Sequence, residues 1–268
     1  MNGSFHQRLE LALQRSLVCV GLDPDPAKIP AELRGAPDAL LHFNRRIVDA
    51  TADIAAAYKP QIAFYSALGA EEQLVASIHY IRERAPRAIV ILDAKRNDIG
   101  NTAEAYAREA FERYAADAVT INPYMGDDSV RPFVQRADRG AILLCRTSNP
   151  GARDFQDLLS DGLPLYRWVA RRAADSWNGH RNLLLVVGAT FPEEMAQLRG
   201  AHPHLPFLVP GIGAQGGDLE ATLAAGLDAN RSGLLINSSR GIIYAGGGTP
   251  AAIRAAALEL HTAIQRRR

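Results

Sequence analysis

The sequence has few cysteines and no excess of either charge. Its 268 residues include only Cys19 and Cys145, and both lie in apolar runs, so we expect buried thiols instead of a disulfide, redox or metal site. Thirty basic against 29 acidic residues leave a formal charge of +1. This balance provides no global field that would attract nucleic acid or a membrane surface, so any anionic ligand must be held by a local site.

Long apolar segments and domain linkers are also missing. No uncharged apolar run approaches the roughly 20 residues that a membrane-spanning helix needs. Residues 1–16 predict an amphipathic helix without an export signal, so we expect a cytoplasmic protein that does not contact the membrane. No Pro/Gly/Ser-rich linker or change in composition divides the chain, which predicts one domain over residues 1–268.

Short β-prone runs alternate with helical stretches along the chain. Each run ends in polar or Gly/Pro residues, and the eight runs are SLVCVGLDP, AAYKPQIAF, AIVILDAKR, AVTINPYMG, AILLCRTSNP, LLLVVGAT, FLVPGIGAQ and GLLINSSRG. Apolar strands separated by helix-length crossovers are typical of a parallel sheet covered on its faces. Eight units favour a single (β/α)8 TIM barrel of parallel strands over a doubly wound sheet, which usually has about five to seven strands.

Polar residues at the ends of these runs are the first candidates for a functional site. In a (β/α)8 barrel the reacting groups come from the carboxyl ends of the strands, so these side chains should face one mouth. The candidates are Asp23, Lys59, Asp93, Lys95, Asn122, Ser148, Gln215 and Arg240.

The segments PGIGAQGGD and NSSRGI follow the seventh and eighth runs. Loops at these two positions often form the phosphate site of a barrel. Glycines such as Gly213 let backbone N–H groups approach an anion, while Gln215 adds an amide donor and Arg240 a guanidinium. The two segments therefore predict a phosphorylated ligand, with glycines that only turn the chain as the alternative.

The first of these segments also matches the dinucleotide-binding pattern G-x-G-x-x-G, through Gly211, Gly213 and Gly216. This match falls late in the chain. Asp228 precedes the next strand instead of capping its end, where a ribose-binding acid would be expected. The context therefore argues against a dinucleotide site.

The stretch LDAKRNDIGNT, residues 92–102, concentrates charge at the end of the third run. Residues two apart on a strand point to the same face, so Asp93 and Lys95 should project together, with Asp98 in the following loop. Lys59 would bring a second lysine to the same point. Such an array keeps its charges by mutual compensation, and it could press a carboxylate against a substrate anion while a lysine delivers a proton.

A purely structural explanation of this cluster stays open from the residues alone. It requires an ion pair between Asp93 and Lys95 and a helix cap at Asn101 or Thr102. The presence of Lys59 at the end of the neighbouring run favours chemistry over a structural pair.

At these residues the sequence resembles the orotidine 5′-phosphate decarboxylase family, and the resemblance covers nearly the whole chain. DAKRNDIGNT matches the family's Asp-x-Lys-x-x-Asp signature, while GLDPDP, TINPYMG, TSNPGARDFQDL and VPGIGAQGG resemble the branch called type 2. The resemblance implies decarboxylation of orotidine 5′-monophosphate (OMP) to uridine 5′-monophosphate (UMP) without a cofactor or metal. This reaction is the last step of de novo UMP synthesis.

The resemblance also implies a role for each catalytic candidate. Asp93 would lie against the substrate carboxylate, and Lys95 would stabilise the C6 carbanion and protonate it. Lys59 would hold the carboxylate array and contact the ribose. Family members are homodimers with active sites at the interface, so Asp98 would serve the neighbouring site, with Thr102 near its ribose.

Substrate contacts follow from the same resemblance. Asp23 would bind a ribose hydroxyl and Ser148 would read the pyrimidine edge. The phosphate would be held by Gly213, Gln215 and Arg240. The connection from Asn149 to about Pro164, here called the lid segment, exceeds the usual length of a βα loop and could close over the ligand.

Two alternatives predict other functions. Sugar-phosphate lyases of the same superfamily share the Asp-x-Lys frame, but they use magnesium and an enediolate, and an acidic metal ligand would be expected where this chain has Lys59. A non-catalytic barrel that senses a nucleotide or sugar phosphate would explain the phosphate loops but not the charged cluster. The seven histidines show no metal-binding spacing.

Overall fold

The computed structural model describes residues 3–212 and 216–268. The barrel strands, each within one of the eight predicted runs or one residue beyond it, are β1 (Val18–Leu22), β2 (Ala57–Pro60), β3 (Ile89–Arg96), β4 (Ala118–Ile121), β5 (Gly140–Arg146), β8 (Leu183–Val187), β9 (Phe207–Val209) and β10 (Leu234–Ser238). They are all parallel and close in the order β1-β2-β3-β4-β5-β8-β9-β10, which confirms the predicted (β/α)8 barrel. The remaining strands, β6 (Leu159–Ser160) and β7 (Leu163–Pro164), form a small antiparallel hairpin within the lid segment.

Helices surround the barrel and connect its strands. Their bounds are α1 (Phe5–Arg15), α2 (Ala39–Thr51), α3 (Ala63–Ser66), α4 (Glu71–Arg84), α5 (Gly100–Arg108), α6 (Asp127–Val134), α7 (Leu165–Arg172), α8 (Pro192–Ala201), α9 (Leu219–Gly226), α10 (Arg240–Ile243) and α11 (Pro250–Gln265). In the described part of the chain, no helix has both the length and the apolar character needed to cross a membrane.

Because helices cover the outer face and side chains fill the inside, the strands are buried on both faces. Every residue of β1, β2, β4 and β8 is buried, which explains why these runs are continuously apolar instead of alternating. The thiols of Cys19 and Cys145 are buried and unpaired within this core, as predicted.

Helix α1 packs against the amino-terminal ends of the strands, away from the predicted mouth. It begins with a capping box, in which Ser4 Oγ accepts from the backbone N of Gln7 and Gln7 Oε1 accepts from the backbone N of Ser4. A Cβ atom at Gly140, the first residue of β5, would lie 2.4 Å from the Phe5 ring, so only glycine fits there. The helix therefore seals one end of the barrel and leaves the other end to the functional groups.

A buried ion-pair network ties α1 to the barrel. Asp117, directly before β4, accepts from Arg8 of α1 and from Arg82 of α4, and its other oxygen accepts from the backbone N of Val90 at 2.9 Å. Asp117 and Arg8 are both buried, so neither charge has water to replace its partner.

We expect Asp117→Ala to lower the free energy of unfolding by about 3–5 kcal/mol, because the substitution leaves the Arg8 charge buried and without its partner. Urea unfolding followed by circular dichroism measures this change. The matched control is Asp53→Ala, which removes an exposed partner of Arg254 and should cost less than about 1 kcal/mol. Equal losses for the two variants would contradict the structural role assigned to Asp117.

Candidate active site

Three of the predicted catalytic side chains meet at the carboxyl ends of two adjacent strands. Lys59 comes from β2, and Asp93 and Lys95 come from β3. Lys59 Nζ lies 2.8 Å from Asp93 Oδ2, and Lys95 Nζ lies 2.7 Å from Asp93 Oδ1. One carboxylate thus bridges two ammonium groups.

The backbone at Lys95 explains how its side chain reaches Asp93. Lys95 has φ of 48°, a left-handed conformation that is unusual for a side chain other than glycine, and the pairing of β3 with β4 shifts register between Leu92 and Arg96. The hydroxyl of Thr120 on β4 stabilises this turn by accepting from the backbone N–H groups of Ala94 and Lys95, each at 2.9 Å. The expected meeting of Asp93 and Lys95 occurs, but it depends on a bulge and not on simple strand alternation.

Thr120 also contacts the array directly. Its hydroxyl donates to Asp93 Oδ1 at 2.9 Å, so this carboxylate is held by two ammonium groups and one hydroxyl. Sequence reasoning missed Thr120, and the signal that could have revealed it was a polar residue inside the apolar strand AVTI.

The charges of the array stabilise one another in a site with little water. Burial alone would raise the pKa of Asp93, but the ammonium groups of Lys59 and Lys95 outweigh it and hold that pKa well below the ordinary value of 3.8. Burial likewise opposes the charge of Lys59, yet the carboxylates of Asp93 and Asp23 raise its pKa above the ordinary 10.5. Both side chains are therefore ionised at neutral pH.

The two lysines differ in how open they are to the mouth. The side chain of Lys59 is 6% exposed, whereas that of Lys95 is 48% exposed. A molecule in the mouth can therefore meet Lys95 more readily than Lys59, which is almost fully buried. Cys19 lies near Lys59, and burial raises the pKa of its thiol to about 12, so the thiol is neutral there.

Asp98 does not join the array of its own chain. Its Oδ1 accepts from the backbone N of Ile99 at 2.8 Å, and it makes no ion pair within residues 3–212 and 216–268. The helix cap that the purely structural explanation required is absent: α5 begins at Gly100 after Ile99, and no side chain caps it. Asn101 and Thr102 instead lie exposed in the first turn of α5.

Asp23 and the end of β10 border a cavity of about 430 Å³. Arg240 also lines it, with an exposed guanidinium that forms no ion pair with any described residue. Asp23 Oδ1 and Ser239 Oγ are buried without a hydrogen-bond partner among the described residues, which suits groups that bind a ligand. Gly21 permits this arrangement, since a Cβ there would lie 2.6 Å from Ser239 Cβ.

The predicted phosphate loop after β9 is described only in part. Gly213 and Gln215 lie outside the described residues. On either side of them, the backbone N of Gly217 donates to the carbonyl of Gly211 at 3.1 Å, and Gly211 and Gly216 have φ of 101° and 83°. These conformations favour glycine, so the loop leaves and rejoins the barrel through positions that few other residues could occupy.

Ser148 lies two residues beyond β5, at the same end of the barrel as the array. Its carbonyl accepts weakly from Thr190 Oγ1 at 3.5 Å. A Cβ at Gly188 would come within 2.8 Å of Ser148 Cβ, so glycine is required for this close approach. The residue after β8 therefore packs closely against Ser148.

Thr120→Val tests the hydroxyl that supports the array. Valine keeps the shape but leaves Asp93 without one donor and two backbone N–H groups without their acceptor, so we expect kcat to fall by about 10- to 100-fold. The matched control is Thr222→Val, because Thr222 is buried and its hydroxyl has no partner among the described residues. Steady-state turnover kinetics measures both variants, and an unchanged kcat for Thr120→Val would contradict this role.

In the described part of the chain, no group of three or more His, Cys, Asp or Glu side chains is arranged to hold a metal ion. The array itself joins one carboxylate to two ammonium groups, and the ammonium groups repel a metal cation.

Known proteins are similar to this chain in both sequence and fold. A sequence model described as "Orotidine 5'-phosphate decarboxylase / HUMPS family" matches residues 16–256. An orotidine 5′-phosphate decarboxylase of Janthinobacterium sp. (strain Marseille) is 58% identical over 255 residues, covering 94% of each chain. One of Azoarcus sp. (strain BH72) is 59% identical over 251 residues, covering 93% of each chain.

Among solved structures, an OMP decarboxylase of Leishmania donovani superposes with a TM-score of 0.87 at 42% sequence identity. The match covers 99% of this chain and 98% of that one. The closed barrel, the Lys59–Asp93–Lys95 array and these matches agree, and the chain belongs to the orotidine 5′-phosphate decarboxylase / HUMPS family.

Proposed function

We propose that this chain decarboxylates OMP to UMP, the last step of de novo pyrimidine synthesis, and that Lys95 protonates C6. The observation that carries the proposal is the array in which Asp93 bridges Lys59 and Lys95 at the barrel mouth. The relatives named above support the choice of substrate.

Asp93 acts on the carboxylate that leaves. Its low pKa keeps it anionic beside the bound OMP carboxylate, and the repulsion between the two is relieved as that carboxylate departs as neutral carbon dioxide. The interaction is therefore less unfavourable in the transition state than in the bound substrate. Burial of Asp93 strengthens the effect, since little water screens the two charges.

Lys95 acts on the carbanion that remains at C6. Its ammonium group stabilises the developing negative charge and then donates a proton to carbon. The side chain is open to the mouth, whereas Lys59 is buried and its pKa is raised by Asp93 and Asp23. Lys59 therefore holds the array in place, contacts the ribose and keeps its own proton.

The rest of the nucleotide extends across the mouth, with contacts at the ends of β1, β5 and β10. Asp23 binds a ribose hydroxyl, Ser148 reads the pyrimidine edge and Arg240 grips the phosphate together with Gly213 and Gln215. The partnerless Asp23 Oδ1 and the exposed Arg240 guanidinium support this placement. Phosphate binding far from C6 then contributes free energy to the transition state.

The protein works as a homodimer in which Asp98 and Thr102 enter the neighbouring site. Large apolar side chains are exposed on the segments that follow β2, β3 and β4, among them Phe64, Ile99 and Tyr124, the last 77% exposed. Exposed apolar side chains concentrated at one end of a barrel are typical of an interface. Asp98 lies in the segment after β3, next to Ile99, and makes no ion pair within the described part of its own chain.

The magnesium-dependent lyases of the family are the competing function. A magnesium ion prefers carboxylate and other oxygen ligands. At the end of β2 this chain instead places the buried ammonium group of Lys59, which pairs with Asp93. We therefore assign a reaction without metal or cofactor, and place it in the cytoplasm, a compartment compatible with two unpaired cysteines.

Turnover by EDTA-treated protein tests the proposal. Purified protein is mixed with OMP and the ultraviolet absorbance of the pyrimidine is followed. A parallel sample receives magnesium and 3-keto-L-gulonate 6-phosphate, the sugar phosphate that one of the competing lyases decarboxylates. The proposal predicts loss of OMP without metal and no decarboxylation of the sugar phosphate. The opposite pattern would assign the chain to the lyases, and no reaction with either substrate would favour a binding role.

A further inference from the structure

Arg146, the last residue of β5, is a buried cation that the decarboxylation chemistry does not use. It is 1% exposed and lies between two rings, with its guanidinium carbon 3.9 Å from the centre of Phe191 and 5.2 Å from that of Tyr166. Its Nη1 lies 2.7 Å from Asp157 Oδ1, and its Nη2 lies 3.4 Å from Glu194 Oε1. A charge buried this deeply requires both carboxylates.

Asp157 belongs to the lid segment, so this ion pair ties the lid segment to the barrel. Thr147, the residue after Arg146, makes a second connection to the lid segment. Thr147 N donates to Gln156 Oε1 at 2.9 Å, and Gln156 Nε2 donates to Thr147 Oγ1 at 2.8 Å. Two consecutive residues at the end of β5 thus hold two consecutive residues of the lid segment. Ser148 is the next residue of the chain.

The ion pair between Arg146 and Asp157 is short, but its atoms are not aligned for a hydrogen bond. Arg146 Nη1 and Nε are buried and have no hydrogen-bond partner of good geometry among the described residues, although Nη1 is within ion-pair distance of Asp157. The Asp157 side chain is 41% exposed, so water can replace the guanidinium if the lid segment moves away. Arg146 itself cannot follow, since Phe191 and Tyr166 enclose it.

We propose that Arg146 is a positioning residue for OMP binding: through its ion pair with Asp157 it holds the lid segment against the end of β5 that carries Ser148. Arg146 does not touch the substrate. The proposal rests on the decarboxylase function for the identity of the ligand, but the tie between Arg146 and the lid segment is independent of it.

Trp168 reports on the lid segment without any ligand. Its Nε1 donates to the carbonyl of Ser160 in the hairpin at 2.9 Å, and the only other tryptophan, Trp177, contacts Asp127 instead. A Trp177→Phe background therefore leaves a single fluorescent reporter on the lid. In that background we expect Asp157→Asn to raise acrylamide quenching of Trp168 at least about twofold, because a loosened hairpin exposes the indole.

Asp161→Asn is the matched control. Asp161 lies in the turn of the same hairpin with φ of 50°, a conformation that asparagine tolerates, and it makes no ion pair within the described residues. The same chemical change at this position should leave quenching as it is in the background protein.

Kinetics with OMP give a second readout that a merely structural role would not produce. Because a loosened lid lowers the fraction of protein ready to bind, Asp157→Asn should raise KM by about tenfold and leave kcat within about twofold. Arg146→Met keeps the apolar packing without the charge and should give a similar KM. The KM of the double variant should be no higher than that of either single variant, as expected for two residues that act as one pair.

Unchanged quenching and an unchanged KM for Asp157→Asn would overturn the proposal. So would a loss in kcat alone, or fully additive effects in the double variant. If the parent protein fails to decarboxylate OMP, the proposed function fails, while the quenching experiment still decides whether Arg146 and Asp157 hold the lid segment.

Discussion

Lys95→Ala is expected to lower the rate of OMP decarboxylation by roughly 10⁴-fold or more. A positioned general acid contributes about 10²- to 10⁴-fold, and a charged group that stabilises a developing anion adds about 10²- to 10³-fold. Both contributions disappear together, because Lys95 is the one ammonium group of the array that is open to the mouth. Loss of OMP absorbance at saturating substrate measures the effect.

Lys28→Ala is the matched control for this experiment. Lys28 forms an exposed pair with Asp25 and lies outside the array, so its removal should change the rate less than about twofold. UMP binding by Lys95→Ala, measured by calorimetry, shows whether the site remains folded. A variant that binds UMP and still turns over within about tenfold of the parent would contradict the role of Lys95 as proton donor.

Mixing two inactive variants should restore activity, if Asp98 serves the neighbouring site. In a hybrid dimer of Lys95→Ala and Asp98→Asn chains, one site carries both substitutions and the other carries neither. Random exchange between equal amounts makes half of the dimers hybrid, so we expect about one quarter of the parent activity per chain. Activity is measured with OMP before and after the two proteins exchange subunits.

The control for the mixing experiment pairs Lys95→Ala with Asp93→Asn. These two residues belong to one array in one chain, joined at 2.7 Å, so every site of every dimer carries at least one substitution. No recovery is expected. If the Asp98→Asn mixture also stays inactive, Asp98 acts within its own chain, and the proposed crossing is wrong.

The barrel and the family could be predicted from the sequence for different reasons. All eight strands were found because strands buried on both faces are continuous apolar runs, and residues 92–102 were specific enough to indicate the family. The array was also detectable: only three of the 30 basic residues are lysines, and Lys59 and Lys95 both end predicted strands. The roles of the individual residues and the single domain over residues 1–268 stay predictions.

Other features depend on contacts between distant parts of the chain. The left-handed Lys95 needs the hydroxyl of Thr120 on a neighbouring strand, and a sequence does not reveal the register of that pairing. Arg146 meets Asp157 only because the chain folds back between them, through a short 3-10 helix at Pro150–Asp154. The alternative explanation placed a helix cap at Asn101 or Thr102 because both suit a cap chemically, while the backbone starts the helix at Gly100.

Decarboxylation of OMP in heavy water, by protein treated with EDTA, tests the central claim most directly. Lysine ammonium protons exchange with solvent, so the claim predicts one carbon dioxide for each UMP formed, with one deuterium at C6 of every UMP. Product mass spectrometry and proton NMR measure the label. No UMP, a requirement for added metal, or UMP without deuterium at C6 would contradict the claim that a metal-free decarboxylation leaves a C6 carbanion that a solvent-exchangeable group, as Lys95 is, protonates.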